Sequence, residues 1–165
     1  MSGLIENKKE GELDTQKNKF LTFLLGKESY GIEIKYVSEI IGMQEITHVP
    51  QLPDYVKGII NLRGKIIPVM DVRLRFKLKA KEYSDRTCII IIEISDILIG
   101  LIVDSVSEVI TIPEQNIQEP PQMSKNANNR YIKGIGKIGD SVKLLLDCMK
   151  LISDEDFNTI SKKYK

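Results

Sequence analysis

Few residues in this 165-residue chain are placed to do chemistry, and their spacing argues against catalysis. His48, in EITHVPQLP, is the sole histidine, so every base or imidazole ligand would have to be that one residue. No Ser/His/Asp or Cys/His set can be assembled around it. Cys88 and Cys148 lie far apart without metal-like spacing and read as two reduced core thiols of a cytoplasmic protein. GIGKIG (134–139) matches the GxGxxG pattern of dinucleotide sites, which needs a strand before it and a helix after it. The next residues, SVKLLL, read as a strand, so a hairpin with turn glycines is the better reading. Asp71 and Asp147 could suggest paired-carboxylate chemistry. Each instead holds the same place in its own copy of an internal repeat, which favours capping of the turn that leaves a strand. No enzyme activity, metal or cofactor is expected.

The repeat is the main organising feature. YVKGIINLRG (55–64) returns as YIKGIGKIGD (131–140) at an offset of 76, which also pairs Asp71 with Asp147. Upstream the offset is 69, pairing Gly31 with Gly100 and Val37-Ser38-Glu39 with Val106-Ser107-Glu108. The difference places seven extra residues in the polar loop 118–130 of the second copy. Each copy, about 20–76 and about 88–152, opens with a hairpin signal and closes with another. Short helical turns are expected between them at 36–41 and 105–110, and Pro68 suggests an edge or a bulge. Four or five short strands per copy suit a small barrel, and about 60 residues bury too little alone, so two units should pack together with a groove between them. A flexible arm is expected at 1–18, barrel 1 at about 19–86, barrel 2 at about 87–152, and a C-terminal helix at 153–165 behind Ser153 and its acidic neighbours.

Features shared by both copies serve the fold, whereas departures are open to another use. Glu108 follows Ser105 in a Ser-x-x-Glu pattern, a capping box that would give it a local role. Its counterpart Glu39 has no such pattern around it. Arg63 falls opposite Gly139 and has no basic counterpart. An Arg–carboxylate pair is geometrically specific, so Glu39 and Arg63 form a candidate linked site on copy one.

Composition narrows the remaining classes. Apolar residues make up 42% and charged residues 28%, with net charge +1 and no basic field. Ten aromatics, six Tyr and four Phe, offer little for the stacking face a small-barrel nucleic-acid binder needs. The longest apolar run is too short to span a bilayer, and the N-terminus lacks a signal-peptide stretch.

VSEIIG, YVKGIINLRGKIIPVMDVRLRF, GLIVDSVSEVI and YIKGIGKIGD resemble the CheW family of bacterial chemotaxis coupling proteins, over about 19–152. The NLRG-x-IIPV-x-D-x-R phrase is the most specific part. The resemblance is to the stand-alone adaptor rather than the CheA regulatory domain or the receiver fusions called CheV. It implies a mainly β fold of two interlocked five-stranded SH3-like barrels with short helices and a C-terminal helix. It further implies an adaptor, cytoplasmic and recruited to receptor arrays at the membrane, that joins the cytoplasmic tips of methyl-accepting chemotaxis receptors to the regulatory domain of the CheA histidine kinase. The family's receptor-coupling residues fall on Val37, Glu39, Gly58 and Arg63. For the kinase contact, the second barrel around Val106, Val109 and Ile112 and the edge at Arg73 and Phe76 are the expected places. A CheW-type scaffold of a chemosensory pathway serving something other than motility fits the same residues.

Overall fold

The run CIIIIEI lacks polar alternation because the strand it forms is buried on both faces. It is β6 (Cys88–Ile94) in a computed structural model that describes residues 16–120 and 130–152. Ile90, Ile92 and Ile94 enter one large apolar core, while Ile89 and Ile91 enter a second, smaller one. Its repeat-equivalent β1 (Lys19–Leu25) divides in the same way. Leu21, Phe23 and Leu25 join the large core, and Phe20 joins a third cluster with Ile112 and Leu145. The period-two geometry of a strand thus lets two strands wall three cores.

The remaining strands are β2 (Glu28–Glu33), β3 (Val37–Gly42), β4 (Val56–Leu62), β5 (Lys65–Asp71), β7 (Ile97–Val103), β8 (Ser105–Thr111), β9 (Ile117–Gln118), β10 (Ile132–Ile138) and β11 (Ser141–Leu146). Short helices α1 (Val72–Arg75) and α2 (Cys148–Ile152) follow β5 and β11. One sheet has the order β8-β1-β2-β11-β10-β9 and the other β3-β6-β7-β5-β4. Each sheet therefore takes its first hairpin from one copy of the repeat and its other strands from the other copy. A boundary near 86 separates the copies but not the barrels. The expected pair of interlocked SH3-like barrels is present; the sixth strand of one sheet is the two-residue β9, whose counterpart is the isolated bridge Thr47–Ile59. The two parallel junctions are also repeat-equivalent: β11 joins β2 through Leu145 and Gly31, and β5 joins β7 through Val69 and Gly100.

Shared sequence does shared work at the ends of the second hairpins. Asp71 N–H donates to the Tyr55 carbonyl at 2.7 Å and Asp147 N–H to the Tyr131 carbonyl at 2.8 Å. Asp71 then caps α1, accepting from Leu74 N–H at 3.3 Å, and Asp147 accepts from Lys150 N–H at 3.1 Å. The capping reading of the two aspartates holds. Asp71 also accepts from the Tyr83 hydroxyl at 2.8 Å, and burial followed by this bond raises the phenol's pKa. GIGKIG is the β10–β11 hairpin, with Gly139 at φ 56° in its turn. Both cysteines are free; burial pushes the Cys148 thiol up to about 12.

Several expectations change. The segments at 36–41 and 105–110 are chiefly edge strands β3 and β8, because β6 and β1 offer each a ladder to pair with; only Ile34–Tyr36 makes a 3-10 turn. With no helix at Ser105, there is no capping box. Glu108 lies at a bulge in β8, where Thr22 Oγ1 donates to its carbonyl at 2.8 Å and accepts from its N–H at 3.2 Å. Pro68 is not on an edge strand: β5 lies inside its sheet, but its ladder to β7 begins only at Val69. The expected arm, apart from its last residues, and the helix at 153–165 lie outside the described residues.

The unequal duties of the two caps give a testable difference. Asp71→Ala removes two side-chain bonds from a buried site and should cost about 2–3 kcal/mol in urea unfolding, against about 1 kcal/mol for Asp147→Ala. Equal losses would show that the Tyr83 bond adds nothing.

Candidate functional site

The β4–β5 hairpin turns through two residues, Arg63 at φ 51° and Gly64 at φ 88°, with Asn61 Oδ1 accepting from Gly64 N–H at 2.9 Å. A two-residue turn with both φ values positive matches the twist of the strands it joins and normally recruits glycine or asparagine. The equivalent position in the second hairpin is indeed Gly139. At Arg63 the chain places a long cation where the backbone favours glycine, at a cost on the order of 1 kcal/mol.

That cation reaches across the barrel. β3 and the β4–β5 hairpin stand at opposite ends of the five-stranded sheet, yet Arg63 Nη2 donates to Glu39 Oε1. The sheet curls until its ends meet, and the ion pair spans the seam. A bulge in β3 between Val37 and Glu39 turns the carboxylate toward this seam. The Arg63 side chain is 70% exposed and that of Glu39 32%, so the pair sits at the surface. Beneath it is a recess of about 350 Å³ floored by Leu62, Ile67, Ile91 and Leu98 and rimmed by Lys65 and Glu93. A larger recess, about 610 Å³, lies on the six-stranded sheet and includes Glu33 and Lys133, which form an ion pair. Each of these two recesses belongs to a single sheet, not to the space between the barrels. The exchanged hairpins fill that space with the large shared core.

The other two expected receptor-side residues, Val37 and Gly58, lie outside the lining of the recess beneath the ion pair. Val37 is half-buried against the shared core, at the start of the strand that carries Glu39. Gly58 is buried at a bulge in β4, at φ 145°, and a Cβ there would collide with the Thr47 carbonyl oxygen. Its role is therefore to let the 47 region cross β4.

The residues expected to meet the kinase divide by burial. Val109, on edge strand β8, is 51% exposed. Val106 is half-buried against the shared core. Ile112 is fully buried with Phe20 and Leu145, and Phe76 is packed between Tyr30 and Tyr131 at ring distances of 5.6 and 5.8 Å, so neither offers a side-chain surface. Arg73 is engaged internally. Its Nε and Nη2 donate to the two oxygens of Asp104, each at 2.7 Å, and Nη1 donates to the Lys79 carbonyl at 2.9 Å. Asp104 also accepts from Gly26 N–H at 2.7 Å. Nothing in the sequence around Asp104 marks it as a partner for Arg73, because the two are brought together only by the hairpin exchange.

Arg73 holds the Asp104 carboxyl below its ordinary value of 3.8, against an opposing effect of burial. A depressed carboxylate pKa contributes stability that is present above the unfolded-state value and lost as pH falls through the folded-state value. Asp104→Asn should therefore flatten the acid limb of stability below about pH 5, read as urea midpoints. Arg63→Gly should behave differently: relief of backbone strain offsets loss of an exposed ion pair, leaving stability within about 1 kcal/mol of the parent.

Among the described residues, no group of three or more His, Cys, Asp or Glu is placed to hold a metal ion, and no helix is long and apolar enough to cross a membrane. Comparison with known proteins agrees with the geometry. A family model described as the CheW-like domain matches residues 19–156. The chain is 35% identical to the chemotaxis protein CheW of Klebsiella aerogenes over 143 residues, covering 87% of this chain and 86% of that one. It is 33% identical to CheW of Treponema pallidum, covering 90% of each. The crystal structure of the scaffolding protein TtCheW from Thermoanaerobacter tengcongensis superposes with a TM-score of 0.78 at 38% identity, covering 84% of this chain and 94% of that one. The fold and the family match agree, and the chain belongs to the CheW-like domain family.

Proposed function

We propose that this chain is a non-catalytic chemotaxis adaptor that couples methyl-accepting receptors to the histidine kinase CheA, so that receptors control kinase autophosphorylation. The observation that carries this reading is the Glu39–Arg63 seam. A charged pair stands over a recess with an apolar floor and a charged rim, and one partner occupies a backbone position that favours glycine. Receptor tips in this family are helical hairpins, which can lay an apolar face on such a recess while the charges fix orientation. Val37 opens the bulged strand that bears Glu39, and Gly58 admits the Thr47 carbonyl against β4. The kinase's regulatory domain meets the other barrel, with Val109 on the edge strand β8 as the exposed apolar contact. The adaptor works in the cytoplasm, recruited to membrane arrays through the receptors.

Titration of the purified chain into a receptor-tip fragment, and separately into the CheA regulatory domain, tests both contacts. Arg63→Gly should weaken receptor binding at least about tenfold and leave kinase binding unchanged, because an oriented charge at a contact is worth about 1.4 kcal/mol or more. Val109→Asp should do the reverse. Unchanged receptor binding by Arg63→Gly would remove the seam from the receptor contact. Binding of wild type to neither partner would sink the adaptor reading.

A further inference from the structure

The comparison between copies that singles out Arg63 also singles out Arg75. α1 presents Arg73, Arg75 and Phe76 where the second copy has Met149, Leu151 and Ile152. Met149 is exposed and Leu151 is fully buried, so the second copy shows what the position looks like without special duties. In the first copy the same three positions all reach across the junction of the barrels. Arg73 ties to Asp104 and, through it, to the β1–β2 turn at Gly26. Phe76 packs tilted against Tyr30 of β2 and stacks on Tyr131. Arg75 places its guanidinium carbon 4.3 Å from the Tyr55 ring centre and 4.7 Å from that of Tyr131. These are the repeat-equivalent tyrosines, one leading into β4 of the five-stranded sheet and the other into β10 of the six-stranded sheet. A single cation therefore faces both.

The shared core between the sheets is apolar, and burial of apolar surface is non-directional. It holds the barrels together, and the directional contacts of α1 add an angular preference to that packing. A planar guanidinium over two rings is directional, because the attraction depends on its distance from each ring face. We infer that α1 sets the angle between the two barrels and that Arg75 is its positioning residue. The consequence rests on the adaptor reading above. Receptor and kinase contacts lie on different barrels, so this angle decides whether one molecule can make both at once.

The test uses the full chain with Arg75→Leu, which copies the second repeat, and Arg75→Lys, which keeps the charge and loses the planar fork. Residual dipolar couplings fitted separately to each sheet report their relative orientation. Couplings within each sheet should stay at wild-type values, while the angle between the sheets shifts on the order of 10° or becomes averaged. Binding to the receptor tip alone and to the kinase domain alone should stay within about threefold of wild type, and the three-component complex should weaken at least about tenfold. If the leucine variant does not fold, the lysine variant carries the measurement, with a smaller shift in the same direction. A wild-type angle in the folded variants would overturn the assignment. A shifted angle with an intact three-component complex would overturn its link to bridging. Failure of wild type to bind either partner would refute the adaptor reading and leave the angle measurement to decide Arg75 on its own.

Discussion

Burial of both faces of β1 and β6 is the constraint on which the other features depend. Each strand walls the shared core with one face and a barrel interior with the other. A copy of about 60 residues cannot supply both sides by itself. The solution is exchange: each first hairpin pairs with strands of the other copy, through β1–β8 and β3–β6. The exchange fills the space between the barrels with the shared core, and the recess beneath the ion pair opens at the seam of one barrel.

The repeat then separates two kinds of residue. Tyr55 and Tyr131, Asp71 and Asp147 perform matching backbone and capping work in both copies. Departures from the repeat make the two copies unlike. Arg63 occupies a turn position that its counterpart fills with glycine, and the strain is tolerated because the hairpin is held by the ladder behind it. Arg73 closes on Asp104, whereas the equivalent positions, Met149 and Lys35, cannot form an ion pair. Among the described residues, the buried cluster of the six-stranded barrel is Phe20, Ile112 and Leu145, fewer than in the five-stranded barrel. The two barrels are thus alike in backbone and unlike in what they present.

The sequence by itself determined the repeat, its hairpins, the capping aspartates and the Glu39–Arg63 pair, because each follows from local turn chemistry, period-two burial or a difference between aligned positions. VSEIIG and SVSEVI are short enough to fit a helical turn or a strand, and only the free edges of β6 and β1 make them strands. The sequence shows that Ile112, Phe76 and Val109 are apolar, and the packing of the two sheets decides that the first two are buried and the third is exposed. The same holds for Arg73 with Asp104 and for Arg75 with its two tyrosines. These partners are far apart in the chain or in different copies, and no local pattern encodes a meeting that depends on which hairpin pairs with which sheet. Tertiary structure alone decided where the recess opens and which charges meet, since both are set by the exchange.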